Sequence, residues 1–165
     1  MSGAVQREFD GYRRGDGRCG VRNHVLVLSP TGLTSAAAQR VASLVRGPLA
    51  VTTGYGRRQV PADADLHFRT LAGLALNPNV ASVLVVSAAD DISATYADAI
   101  AASGKPVVAL SLPRAHEDAL TLVDQGVRAA TRLVAAASAL RRERCAVSEL
   151  CVAVECGHSD ATSGI

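Results

Sequence analysis

The chain has 165 residues, enough for one domain with a hydrophobic core and too few for two ordinary domains joined by a linker. Hydrophobic residues make up 48% of it but aromatic ones only 3%, with no Trp, so Ala, Val and Leu must fill a core of the kind that packs helices closely on a parallel sheet. A formal net charge of +2 with dispersed Arg residues disfavours nucleic acid as a partner, and no stretch approaches the roughly 20 apolar residues that cross a bilayer.

The first 23 residues carry Gly11, Gly15, Gly17 and Gly20 among Arg and Asp, which favours turns over regular structure and reads as an ordered loop or a flexible arm. His24 to Ser29 is a short apolar run closed by Pro30, a strand buried on both faces. A helix follows from Thr34 or Ser35, with Ala38, Val41 and Val45 on its stripe, and stops at Gly47-Pro48. Leu49 to Thr52 is a weak strand and Asp63 to Leu76 a helix that ends at Asn77-Pro78. Ala81 to Ser87 is the clearest strand. It leads to a helix over Ile92–Ser103, a strand over Pro106–Ser111, a long Ala-rich helix over Glu117–Arg142 and a fifth strand over Leu150–Val154.

Apolar runs that alternate with helices predict a three-layer, doubly wound, mostly parallel α/β sheet of about five strands, Rossmann-like or flavodoxin-like. Residues 1–23 form the arm and 24–165 a single α/β domain. Ligands of such sheets sit beyond the carboxyl ends of the strands, which selects the loops at Pro30–Gly32, Thr53–Gly56, Ser87–Asp91, Ser111–Arg114 and Glu155–Asp160. Nicotinamide or flavin dinucleotides are disfavoured, because Ser29-Pro30-Thr31-Gly32-Leu33-Thr34 stands where GxGxxG belongs. The four cysteines show no CxxC pair and no secretory signal precedes them, which predicts reduced thiols and a cytoplasmic location.

The densest chemistry lies in Glu155-Cys156-Gly157-His158-Ser159-Asp160, where two carboxylates, a thiol, an imidazole and a hydroxyl follow the last expected strand. These groups are metal ligands or proton carriers by type. A polar turn capped by Ser159 or Asp160 is the plainer account of the same residues. His24, His67 and His116 read as surface or boundary residues.

Three segments, Phe9 to Asn23, Arg69 to Val80 and Glu155 to Gly164, together resemble the altronate and galactarate dehydratase family, in that family's order and across most of the chain. The resemblance implies a hydro-lyase or related lyase that removes water from a sugar acid, or sulfite from sulfolactate, with a divalent metal, usually iron. Elimination beside a carboxylate needs a base for the α-proton, a stabiliser of enolate charge and help for the leaving group. Glu155, Asp160 and His158 are the catalytic candidates and Cys156 the metal candidate. Arg22, Asn23, Ser159, Thr162 and Ser163 are the candidates for binding substrate, with tying down the arm before the first strand the plainer use of Arg22 and Asn23.

The sequence departs from the family where thiols are expected. Thr31–Thr34, Thr53–Gln59 and Ser87–Asp91 stand at three strand ends that usually carry cysteines. The family also continues through a second large region. These features imply a sugar-acid partner, a homo-oligomer or a missing region or subunit, and the alternative of a non-catalytic sugar-acid-binding module that has lost its metal chemistry.

Overall fold

The computed structural model describes residues 7–162 other than 57, 156 and 159. Seven strands and four helices follow in the order β1 (Glu8–Arg13), β2 (Cys19–Gly20), β3 (His24–Ser29), α1 (Ser35–Leu44), β4 (Leu49–Thr52), α2 (Pro61–Leu76), β5 (Val80–Ser87), α3 (Asp90–Ala101), β6 (Val107–Ser111), α4 (Ala119–Ala139) and β7 (Glu143–Ala146). Strands β4-β3-β5-β6 form a parallel sheet, as the apolar runs predict, and β2-β1-β7 a small antiparallel one.

The parallel sheet is buried on both faces, which is why β5 is apolar at nearly every position rather than alternating. On one face Val25, Val27, Leu84 and Val86 pack against α1 and α4, with Gly126 of α4 letting that helix approach Val41 of α1. On the other, Leu26, Leu28, Val83 and Val85 pack against α2 and α3, where Phe68 and Tyr96 meet edge to face at 4.9 Å between ring centroids. Pro61 opens α2 at a position where its missing N–H costs nothing, and the Asp118 carboxylate caps α4 through the amides of Leu120 and Thr121.

Two expectations are corrected. The first concerns the arm, whose glycines do not prevent structure. Strand β1 pairs with β2 and β7, and Gly20 packs so closely on the Pro78 carbonyl that a side chain there would collide with it. The second concerns Leu150–Val154, which forms no strand, so the parallel sheet has four strands rather than five. The physical reason is competition for backbone partners. Pairing of Glu143 to Ala146 with Glu8 to Gly11 draws the chain to the arm after α4, away from the free edge of β6. Helix α4 also ends at Ala139, three residues before the predicted Arg142.

Candidate functional site

Helix α1 leaves β3 toward one edge of the parallel sheet and α3 leaves β5 toward the other, so the switch point of the winding lies between the carboxyl ends of β3 and β5. Buried hydroxyls floor it. Ser29 Oγ lies 2.8 Å from Thr34 Oγ1, which is 3.1 Å from Thr31 Oγ1 and donates to the Val86 carbonyl at 3.0 Å. Each has partners within the protein, so this network fixes the β3 loop. The loop after β4 locks onto it: the Gly32 amide donates to Tyr55 O at 2.8 Å, and Gly56, at φ +106°, sits where any side chain would strike Pro30 O.

Beside these loops a groove of ≈ 770 Å³ opens between β4 and α2. Thr52, Thr53, Tyr55, Arg58, Gln59, Asp63, His67 and Thr70 supply its polar lining. Arg58 holds a left-handed backbone at φ 58°. His67 Nε2 lies 3.0 Å from the Pro30 carbonyl, and because a carbonyl only accepts, Nε2 carries the proton and a neutral ring keeps its lone pair on Nδ1. The sequence places His67 on the border of a helical stripe; the groove it faces comes from the neighbouring loops, which spacing along one helix does not reveal. On the far side of the switch point, Asp90 accepts from Ser111 Oγ and pairs with Arg114 at 3.1 Å.

The other predicted residues lie elsewhere. Arg22 and Asn23 precede β3, at the amino end of the sheet. Asn23 Oδ1 accepts from Arg14 Nη1 at 2.9 Å and its Nδ2 donates to Ala137 O at 2.7 Å, while Arg14 also reaches the carbonyls of Pro78 and Arg22. Asn23 thus ties the arm to α4, the tie-down use that its sequence position allows.

The segment from Glu155 follows the antiparallel sheet and the single helical turn after β7, where Arg142, just before that strand, donates to Asp10 O and Val21 O. Glu155, His158, Asp160 and Thr162 are exposed. Asp160 accepts from the Thr162 amide at 2.8 Å and hydroxyl at 2.6 Å, which holds its carboxyl below the usual range. Cys156, Ser159 and Ser163 lie outside the described residues.

The iron implied by the family resemblance would need several ligating side chains gathered at one place. Among the described residues the carboxyl-end groove gathers no three ligating side chains; the one such group, Cys19, Cys145 and Glu149, belongs to the antiparallel sheet. The described donors of the groove therefore do not fit an iron ion.

A family model described as D-galactarate dehydratase/altronate hydrolase, second domain, matches residues 11–138. The chain belongs to this family. The galactarate dehydratase/altronate hydrolase match ends before β7, but a relative extends it: the (2R)-sulfolactate sulfo-lyase subunit beta of Chromohalobacter salexigens is 47% identical over 158 residues, 96% of this chain. Those residues are 40% of that protein's length. No solved structure matches the chain. No described helix is long and apolar enough to cross a membrane.

Proposed function

We propose that this chain is the sugar-acid-binding part of a lyase that eliminates water or sulfite from a small hydroxy acid, working in a larger catalytic unit with further sequence or a second subunit. The observation that carries the reading is the 47% identity to a sulfo-lyase subunit. Sulfolactate is thereby the first substrate to test, before galactarate and altronate.

The groove's chemistry fits such a substrate. A carboxylate or sulfonate meets the Arg58 fork, hydroxyls meet Thr52, Thr53, Gln59 and Thr70, and Nδ1 of His67 is a base for the α-proton. Removing that proton places charge on the substrate carboxylate, which the Arg58 cation stabilises, and the β-substituent then leaves with its bonding pair. Divalent iron remains part of the proposal as a cofactor of the complete unit.

A second reading keeps the chemistry on Glu155, His158 and Asp160, with Cys156 as a metal ligand and Arg22, Asn23, Ser159, Thr162 and Ser163 holding substrate. Its support is the density of ligating and proton-carrying groups within residues 155–160. The two readings assign substrate to different residues, so single substitutions separate them.

The deciding assay follows sulfite release from (2R)-sulfolactate and water loss from galactarate and altronate, with the remaining regions of the enzyme supplied. Arg58→Ala is expected to raise KM about tenfold or more, and His67→Ala to lower kcat by about 10²–10⁴. Activity untouched by both changes but lost in Glu155→Gln or Asp160→Asn would move the site to the second set of residues. Absence of elimination from every substrate would leave a binding module without chemistry.

A further inference from the structure

We infer that Cys19, Cys145 and Glu149 form a binding site for a thiophilic divalent cation of the zinc class, separate from the groove, which clamps the point where the chain leaves the antiparallel sheet.

The register of that sheet assembles the site. Cys19 of β2 stands opposite Arg13 of β1, and Cys145 of β7 opposite Phe9, on the other side of the same strand. Positions 9, 11 and 13 share one face of β1, so the two cysteines flank its middle position on that face. That position is Gly11. A side chain there would lie 2.6 Å from the Phe9 ring, 3.1 Å from Cys145 Sγ and 3.3 Å from Gly20 O, so only glycine leaves room for the Phe9 ring and the sulfur beside it.

Glu149, in the single helical turn after β7, closes the group. Its Oε2 lies 3.2 Å from Cys19 Sγ, and all three ligand atoms lie within 4.8 Å of one another. Ligands about 2.0–2.3 Å from a tetrahedral zinc ion stand roughly 3.5–4 Å apart, so the ion needs only small side-chain adjustments. Both thiols are buried, and the carboxylate is already aimed by the Ala146 amide at 3.1 Å and by Arg13 Nη1 at 3.0 Å.

Charge and ligand type agree. Binding releases both thiol protons to solvent; two thiolates and the Glu149 carboxylate then exceed the divalent ion by one negative charge, which faces the Arg13 guanidinium that Glu149 shares with Glu143. Two sulfurs and one carboxylate oxygen select zinc-like ions over magnesium or calcium, and water completes the tetrahedron. Because Glu149 directly precedes Leu150, the ion fixes the direction in which residues 150–162 depart.

Cobalt(II) titration of the reduced full chain under anaerobic conditions tests the site. A thiolate-to-cobalt charge-transfer band should saturate at a single equivalent and vanish when zinc is added. It should survive in the double variant Cys151→Ser, Cys156→Ser and disappear when Cys145→Ser is added to that background. Zinc should also raise the Tm of the double variant but not that of the triple variant. No band in the wild-type chain, or a band that needs Cys151 and Cys156 but not Cys145, overturns the inference. So does a zinc-induced rise in Tm that is unchanged in the triple variant.

Discussion

Lys105 shows how one residue records the packing of the arm. Its Nζ is buried and donates to Ala75 O at 3.0 Å and Asn77 O at 2.6 Å; burial, with the nearby charges of Arg14 and Arg18, lowers its pKa from 10.5 to about 8. A neutral amine keeps both of those donors. Between about pH 8 and 10.5 the unfolded chain therefore binds more protons than the folded one, so this residue makes stability rise with pH across that window. Urea unfolding of wild type and Lys105→Met at pH 8 and pH 10 is expected to show the wild type gaining relative to the variant. Equal shifts would mean that the lysine titrates at its ordinary value. Asp118→Ala makes a simpler test: loss of the two amide bonds at the start of α4 should lower the urea midpoint of unfolding.

Helices and strands were legible in the sequence to differing degrees, and the reason is what each depends on. Strands β3, β5 and β6 carry apolar runs because both sheet faces are covered, and α1, α2 and α4 announce themselves through stripes and stop signals. Strands β1, β2 and β7 lack an apolar run, and exist through pairing with residues more than 120 positions away in the case of Phe9 and Cys145. Leu150–Val154 fails in the opposite direction, having a strand's composition without a partner. The candidate site divides similarly. The strand-end rule reached Thr53–Gly56, but not His67 or Arg58, whose place in the groove follows from the packing of α2 on two loops. Gly126 also acquires its meaning only from a neighbour. Alanine ordinarily gains about 1 kcal/mol over glycine within a helix, yet its Cβ would lie 2.6 Å from a methyl of the buried, β-branched Val41. Gly126→Ala is therefore expected to lower the urea midpoint, and a rise would show that α1 and α4 separate easily.

At the scale of the molecule, the arm is part of the fold rather than an appendage. Its Arg14 is held by Pro78, Arg22 and Asn23, and Tyr12 lies under the guanidinium groups of Arg14 and Arg142, with the latter 5.0 Å from the ring centroid. A chain begun at residue 24 leaves β7 without its partner strand and uncovers the amino end of the parallel sheet. It should unfold at a lower temperature, and its protease cleavage should spread from 140–162 into α4; unchanged melting would return the arm to the status of an accessory. The distribution of aromatic rings gives these events separate optical signals. With no Trp in the sequence, near-ultraviolet absorbance and emission come chiefly from three tyrosines, and each stands in a different district: Tyr12 in the arm, Tyr55 at the groove with 74% of its surface exposed, and Tyr96 in the core against Phe68. Burial pushes the Tyr96 phenol up to about 12. Single Tyr→Phe replacements would therefore turn an unlabelled chain into three reporters, for arm release, ligand entry and core melting.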